Sequence, residues 1–184
     1  SQIAALPEGD AENGAQIFWA GGCASCHSAP KSSGDAKLVM TGGHELKTPF
    51  GTFVAPNISP DPDKGIGSWT TEQFANAMWR GVSPGGQHYY PAFPYTSYAR
   101  MTAQDLSDLW AFMQTLPKSD NQAADHDLGF PFNIRRGLGL WKLLFLKTDP
   151  IAVLVTGDAQ LARGRYLVEG LAHCGECHTP RNLI

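Results

Sequence analysis

Two copies of a short cysteine motif restrict the possible folds of this chain more than any other feature of its sequence. Residues 21–30 read GGCASCHSAP and residues 171–180 read LAHCGECHTP, so each copy has a Cys-x-x-Cys pair followed directly by a histidine. The chain has four cysteines, and the two motifs contain all of them. Such pairs serve as disulfides, as a zinc site, as redox dithiols or as attachment points for a covalent haem.

Covalent haem attachment is the use that accounts for every residue of both motifs. A zinc ribbon brings its cysteine pairs within about 20 residues of each other, whereas these pairs lie near opposite ends of the chain. A redox dithiol gives no reason for the histidine after each pair. In a c-type site two thiols add to the haem vinyl groups, and the adjacent His27 or His178 becomes the proximal iron ligand. The sequence therefore predicts two covalently bound haem c groups, attached through Cys23, Cys26, Cys174 and Cys177.

Composition and charge are those of an ordinary globular protein. The 184 residues carry a formal net charge of −3, which gives no reason to expect nucleic acid binding. No apolar run reaches the roughly 20 residues that span a bilayer, and the longest candidate, residues 138–146, contains Lys142. Because haem is attached to such motifs outside the cytoplasm, we expect a periplasmic protein whose signal peptide is absent or removed.

Similar segments precede the two motifs and indicate an internal repeat. Asp10 is expected to cap a helix that buries Ile17 and Phe18. Asp158 is expected to cap the matching helix, which Gly170 would end. The alternative is that two unrelated amphipathic helices precede the motifs.

An irregular loop at residues 48–69 and two further helices follow the first motif. Thr70 begins a capping box for the first of these helices, and Gly81 ends it. Thr102 caps the second helix, and Pro117 prevents its continuation. The elements of this unit follow the order of a small monohaem cytochrome: helix, haem motif, loop, helix, loop, methionine and helix.

We divide the chain into a first haem unit at 1–117, a connector at 118–156 and the start of a second haem unit at 157–184. The connector contains the aromatic and apolar string FPFNIRRGLGLWKLLFLKTDP. We expect it to pack across both haem units; alternatively it offers an exposed patch to a partner or to a membrane surface. Membrane association is expected to depend on partners or on further sequence rather than on residues 138–146.

Three long sequence segments resemble one particular group of cytochromes. The segments TPFGTFVAPNISPDPDKGIGSWT, GVSPGGQHYYPAFPYTSYARMT and DHDLGFPFNIRRGLGLWKLLF resemble the multihaem cytochrome c subunits of bacterial membrane-bound dehydrogenases for alcohol, gluconate, sorbitol or fructose. The resemblance extends from Gly14 to Pro180. It implies a mainly α fold of two tandem class I cytochrome c domains, the second incomplete in this chain. It also implies electron transfer from the flavin, pyrroloquinoline quinone or molybdenum centre of a partner dehydrogenase to quinone or another redox acceptor.

The second unit is short for such a domain. Six residues follow His178, and when extended they reach about 20 Å. They cannot surround a haem, whose apolar surface would stay in water at a cost of roughly 25 cal/mol per Å². We therefore expect the chain to be part of a longer polypeptide whose remainder completes the second haem domain.

Met101 is expected to be the sixth ligand of the first haem iron. Met40 lies in the loop soon after the first motif and would have to double back. Met78 and Met113 lie on apolar helix faces, where a flexible core residue is the ordinary explanation. Met101 directly precedes the last helix of the unit, where small cytochromes place their ligand loop. Many of them have MPAF where this chain has YPAF, with Tyr90 in place of the methionine.

The other histidines and several polar aromatic residues give weaker signals. We expect surface or loop positions rather than iron ligation for His44, His88, His126 and His173. Two roles are open for a further set of side chains: they either donate hydrogen bonds to haem propionates or serve ordinary packing. These residues are Trp69, Tyr89, Tyr95 and Arg80.

The pattern favours electron transfer without catalysis. No paired carboxylates and no nucleophile–histidine arrangement stand out, and haem attachment uses every cysteine. The alternative is a dihaem peroxidase or thiosulfate-oxidising cytochrome with catalysis at the second haem, which no methionine follows. Such an enzyme needs an iron with an exchangeable position, backed by acid–base or thiolate groups. A purely structural haem module is poorly supported, because two haems in tandem suit the passage of electrons.

Overall fold

A computed structural model of the chain describes residues 6–148, 151 and 158–179. The helices among these residues are α1 Ala11–Ala20, α2 Cys23–His27, α3 Thr71–Arg80, α4 Tyr95–Tyr98, α5 Ala103–Met113, α6 Gly137–Phe145, α7 Ala159–Tyr166 and α8 Cys174–His178. They are supplemented by a 3-10 turn at Gly34–Leu38, a π-helical turn at Leu167–Leu171, and the strands β1 Glu45–Thr48, β2 Gly51–Val54 and β3 Asp127–Leu128. The architecture is mainly α, as predicted.

The packing of α1 against α5 forms the centre of the first haem unit. A Cβ at Gly14 would lie 2.0 Å from the carbonyl oxygen of Asp108, so only glycine permits this close approach. The Asp108 carboxylate accepts hydrogen bonds from the Asp10 amide at 2.7 Å and from the Asn13 side chain at 2.6 Å. Burial by itself would raise the pKa of Asp108, but these hydrogen bonds and one from Gln104 outweigh it and lower the pKa. The start of α1 is therefore fixed to α5.

The predicted helix starts are confirmed. The side chains expected to cap helices accept backbone hydrogen bonds from the first turn in every case: Asp10, Thr70, Thr102 and Asp158. Gln73 completes the predicted capping box with Thr70, and Gly81 ends α3 with a left-handed φ of 59°. Ile17 and Phe18 are buried, as expected. Helix α5 already ends at Met113, short of Pro117.

A small antiparallel sheet replaces part of the loop predicted at residues 48–69. β1 and β2 form a hairpin with Thr48 opposite Gly51, and β3 pairs with β2. Gly51 has a φ of 125°, and a Cβ there would lie 2.3 Å from the carbonyl oxygen of Asp127. The approach of β3 therefore requires glycine at this position. The prediction of an irregular loop is wrong for this stretch, because such short strands carry too little periodicity to be recognised.

Helix α7 of the second unit ends at Tyr166 instead of at Gly170. The backbone widens into the π-helical turn Leu167–Leu171, so the predicted helix end is wrong. A Cβ at Gly170 would lie 3.0 Å from the side chain of Ile151, which shows that the glycine serves close packing. Tyr166 of α7 is buried in the same apolar cluster as Ile17 of α1. The second unit thus packs directly on the first, while the predicted domain limits stay predictions.

A buried lysine attaches the connector helix α6 to the first unit. Lys142 Nζ donates hydrogen bonds to the carbonyl oxygens of Arg80, at 2.8 Å, and Gly81, and it lies 3.1 Å from His88 Nδ1. It also lies 4.5 Å from the centre of the Tyr95 ring. The carbonyls at the end of α3 lack partners within that helix, and a cation is favourable beside them. Burial nevertheless lowers the pKa of Lys142 to about 8.

Several apolar side chains of the connector face outward, whereas Ile151 is buried in the apolar cluster. We call this surface the connector patch, and its exposed members are Phe130, Phe132, Ile134, Leu140, Leu143, Leu144 and Phe145. The expectation that the connector packs across both haem units is therefore wrong for these residues, and the alternative of an exposed patch describes them. Within the described ranges, no helix is long and apolar enough to cross a membrane.

Candidate haem sites

The first motif forms helix α2 and places His27 against a backbone carbonyl. Gly22 precedes the helix in the left-handed conformation, with a φ of 70°. His27 Nδ1 lies 2.8 Å from the carbonyl oxygen of Pro56. Since a carbonyl only accepts, Nδ1 carries the proton and Nε2 keeps its lone pair. Burial lowers the pKa of His27 more than the bond to Pro56 raises it. A neutral imidazole held by its other nitrogen is the form in which histidine binds a metal.

The cysteines of the first motif are free thiols with raised pKa values. Cys23 and Cys26 are free thiols one helical turn apart. Burial raises the pKa of Cys23 to about 12, and it also raises the pKa of Cys26. Redox-active and metal-binding cysteines have lowered pKa values instead. Among the residues with described positions, no group of three or more His, Cys, Asp and Glu side chains comes together as a metal site. The raised pKa values of both thiols are thus unlike those of a redox dithiol or of a metal-binding pair.

The methionine candidates cannot be separated by burial, because all of them share one buried cluster: Met40, Met78, Met101 and Met113. The backbone of Met101 makes hydrogen bonds through both its carbonyl and its amide. Trp79 Nε1 donates a hydrogen bond to its carbonyl oxygen at 3.1 Å. The amide of Met101 donates to the carbonyl of Tyr98 at 2.9 Å, and the Tyr98 hydroxyl donates to the carbonyl of Gly21 at 2.6 Å. The Met101 segment is therefore tied to the start of the first haem motif.

The second motif forms α8 and lies beside the first. His173 precedes α8, and its Cε1 would lie 3.6 Å from a Cβ at Gly22. The His173 ring meets the Tyr98 ring edge to face, with 5.9 Å between their centres. Glu176, between the two cysteines of the second motif, accepts a hydrogen bond from Ser97 Oγ at 2.8 Å. The fold thus brings the two haem motifs into contact, although they are far apart in the sequence.

The second motif is more open to solvent than the first. Cys174 and His178 are exposed, whereas Cys23 and His27 are partly buried. The side chain of Cys177 lies outside the described part of the structure. The predicted ligand His178 is therefore on the surface of the described residues.

The remaining histidines make contacts within the protein. His126 Nδ1 accepts a hydrogen bond from the Val54 amide at 3.1 Å and lies against aromatic rings. His88 contacts Lys142 of the connector. The carbonyl of His44 accepts a hydrogen bond from the Ala55 amide at 2.9 Å. These residues have structural partners, and their expected exclusion from iron ligation stays a prediction.

Tyr95 fits best among the four residues considered for propionate binding. Its hydroxyl is buried without a hydrogen-bond partner among the described residues, so a bound anionic group would supply a partner that the protein lacks. Tyr89 packs on the Phe93 ring at 5.8 Å between centres, and burial raises its pKa to about 12. Trp69 packs against the apolar cluster, and the side chain of Arg80 is exposed.

Three residues that hold the site in place are absent from the sequence-based predictions. Pro56 acts through its backbone carbonyl, a group that every residue has, so the residue type does not predict this role. Trp79 and Tyr98 act through polar ends of aromatic side chains, which read in the sequence as core residues. Buried Trp and Tyr side chains usually form a hydrogen bond, so the sequence indicates that such bonds exist, but it does not identify the partner.

Proteins that attach haem through paired thioethers and bind its iron with the next residue form one class, the c-type cytochromes. The first unit has the fold of that class and residues suited to its site. Residues 11–117 match the family model for cytochrome c. The chain therefore belongs to the cytochrome c family.

Similar proteins confirm the resemblance to dehydrogenase cytochrome subunits. The chain is 60% identical over 176 residues to a dihaem cytochrome c-type protein of Cereibacter sphaeroides, a match that covers 95% of this chain and 58% of the relative. It is 40% identical to the fructose dehydrogenase cytochrome subunit of Gluconobacter japonicus, over 88% of this chain and 33% of the relative. It is 38% identical to the cytochrome c subunit of alcohol dehydrogenase (quinone) from Gluconacetobacter polyoxogenes, over 97% of this chain and 38% of the relative.

The chain spans 58% or less of the length of these relatives. The family and the dihaem relative, together with the two motifs, confirm the prediction of two covalently bound haem c groups. The same relatives favour a cytochrome subunit over the peroxidase and thiosulfate-oxidising alternatives.

Proposed function

We propose that this chain is a dihaem electron-transfer protein that accepts electrons from a partner dehydrogenase and passes them to quinone or another redox acceptor. The observation that carries the proposal is the proximity of the two haem motifs: His173 of the second motif lies beside Gly22 of the first motif and packs against Tyr98 of the first unit. Two redox centres attached at neighbouring motifs suit the passage of electrons from one to the other. Catalysis would instead require an open iron backed by acid–base groups.

The residues of the two motifs supply the attachment and the proximal ligands in this proposal. His27 and Met101 bind the first iron and His178 binds the second, while the thioethers form on Cys23, Cys26, Cys174 and Cys177. The iron of a bound haem takes up and releases one electron at a time. A histidine–methionine ligand pair stabilises the ferrous form and raises the potential, which suits a centre that accepts electrons. The Pro56 carbonyl keeps the His27 ring oriented through the 2.8 Å hydrogen bond.

The partner follows from what this chain resembles. Its relatives include cytochrome subunits of fructose dehydrogenase, alcohol dehydrogenase (quinone) and gluconate 2-dehydrogenase. We propose a partner of the same kind, which delivers electrons from a flavin, pyrroloquinoline quinone or molybdenum centre. The periplasm is the proposed location, because covalent haem attachment takes place outside the cytoplasm.

Electron transfer and catalysis are separated by a kinetic experiment on the haem-loaded protein. We expect fructose dehydrogenase or alcohol dehydrogenase (quinone), prepared without its own cytochrome subunit and supplied with substrate, to reduce both haems. Decylubiquinone should then reoxidise them, and the ferrous first haem should bind no carbon monoxide. Stopped-flow absorbance measures each step. Rapid turnover of hydrogen peroxide, or carbon monoxide binding at the first haem, would contradict the proposal.

We also propose that the connector patch attaches the protein peripherally to an anionic membrane surface. Residues 128–148 contain four basic residues and no acidic one, in a chain whose net charge is −3. Arg135 and Lys142 point inward onto protein groups, while Arg136 and Lys147 are exposed beside the patch. Exposed leucines and phenylalanines flanked by cations suit the interface of an anionic bilayer. This proposal replaces the expectation that residues 138–146 play no part in membrane association.

Vesicle sedimentation tests this attachment. The haem-loaded protein should bind phosphatidylglycerol vesicles more strongly than phosphatidylcholine vesicles, and Leu143→Glu with Leu144→Glu should abolish the binding, because two charges then enter the apolar contact. Leu161→Glu is the matched control, since Leu161 is 55% exposed on α7, outside the patch. No binding by the unchanged protein, or equal binding by the double variant, would refute the membrane role.

A further inference from the structure

The segment that bears Met101 is held from the second haem unit at several points along its length. Before Met101, Ser97 Oγ donates to Glu176 Oε1 at 2.8 Å. After it, the Thr102 amide donates to the Tyr166 hydroxyl oxygen at 3.1 Å. These contacts come from α8 and α7, so both ends of the Met101 segment depend on the second unit.

An ion pair strengthens the contact on the C-terminal side of Met101. Arg163 Nη1 donates to Asp105 Oδ2 at 2.7 Å, and the Asp105 side chain is only 7% exposed. The Arg163 guanidinium also lies 5.0 Å from the centre of the Tyr166 ring. A charged hydrogen bond to a nearly buried carboxylate is stronger than a pair in open solvent. Loss of Arg163 would leave the nearly buried Asp105 carboxylate without its cationic partner.

The segment is held from the first unit as well. Trp79 Nε1 donates to the Met101 carbonyl at 3.1 Å, and the Tyr98 hydroxyl donates to the Gly21 carbonyl at 2.6 Å. The second unit thus contacts the same segment that these hydrogen bonds attach to the rest of the first unit. Tyr166 and Leu171 are buried in this contact region, together with Met101, in the same apolar cluster.

From this arrangement we infer that the second haem unit positions the iron ligand of the first, with Arg163 and Tyr166 as the positioning residues. The inference rests on the proposed role of Met101. Fixing both ends of the ligand segment favours the geometry in which the Met101 thioether is bound, because fewer alternative conformations compete with it. Ligation at the first iron, and with it the potential of the first haem, then depends on the second unit.

Imidazole competition against the methionine sulfur tests the inference on the oxidised, haem-loaded protein. The double variant Arg163→Met with Tyr166→Phe removes the ion pair and the hydroxyl acceptor but keeps most of the apolar packing. We expect the imidazole concentration that removes half of the red-edge iron–sulfur absorption band to fall roughly tenfold, the effect of losing a charge-assisted hydrogen bond. Arg136→Met, the same change at an exposed connector arginine, should leave it unchanged. Arg163→Lys should restore part of the loss, which a packing role would not explain.

Three outcomes are distinguishable. An unchanged imidazole midpoint in the double variant, while Met101→Ala abolishes the band, overturns the positioning role and leaves the proposed function intact. A band that survives Met101→Ala shows that the proposed ligand is wrong, and the inference falls with it. Circular dichroism and covalent haem content report whether the double variant folds; if it does not, Tyr166→Phe alone tests the same midpoint, because it keeps the buried ring.

Discussion

Replacing both Cys174 and Cys177 with alanine is expected to yield a protein with one covalent haem instead of two. A thioether cannot form without a thiol, and the first motif keeps its own pair on α2. The first haem should retain its iron–sulfur band, because Cys23, Cys26, His27 and Met101 are unchanged. Intact mass spectrometry would show the loss of one haem mass, and the pyridine haemochrome absorbance per protein would fall by half.

The matched variant replaces the two cysteines of the first motif with alanine. Cys23→Ala with Cys26→Ala should also leave one haem, but it should abolish the iron–sulfur band as well, because that band belongs to the first site. We expect this variant to be less stable than the other one, since Cys23 packs against the apolar cluster while Cys174 is exposed. Two haem masses in either variant would contradict the assignment of the motifs.

Local features of the fold were predictable because their causes are local. Thr70 and Gln73 close the capping box that their spacing predicted, and Gly81 ends α3 in the left-handed conformation. Asp10 and Asp158 cap the two helices that precede the haem motifs. Each capping side chain accepts a hydrogen bond from a backbone amide no more than three residues away, so both partners lie in the same short sequence pattern.

Features that depend on distant partners were not predictable in the same way. The β1–β2–β3 sheet brings Gly51 against Asp127, and neither segment alone shows a strand of convincing length. The Pro56 carbonyl that orients His27 has no sequence signature. The contact of Glu176 with Ser97 joins positions far apart in the chain.

The connector shows how a periodic pattern can mislead about burial. Its leucines have the spacing of a helix, and apolar side chains on a helix are normally assumed to face the core. In the structure Lys142 turns inward to the carbonyls of Arg80 and Gly81 at the end of α3, while Leu143 is 81% exposed. The apolar string is visible in the sequence. The carbonyl groups that accept hydrogen bonds from Lys142, however, lie in another part of the chain.

Replacing Met101 with alanine is expected to change the first haem more than any other single methionine substitution. Without the sulfur ligand the ferric form is favoured, so the midpoint potential of the first haem should fall by roughly 0.1–0.2 V, a fraction of the roughly 0.8 V that axial ligands span. The red-edge iron–sulfur band should disappear, while His27 stays bound through its orientation by Pro56. Potentiometric titration followed by absorbance measures the two haems separately.

Met78→Ala is the control that makes this prediction decisive, because burial does not distinguish the two residues. Both lie in the same cluster, each only 5% exposed, so both substitutions remove a similar apolar side chain and both should lower the free energy of unfolding by about 2–5 kcal/mol. A general loosening of the core would therefore affect the band in both variants alike. Met101, in contrast, stands between α4 and α5 with its carbonyl fixed by Trp79. If Met78→Ala abolishes the band and Met101→Ala preserves it, the ligand is on α3 and the assignment to Met101 is wrong.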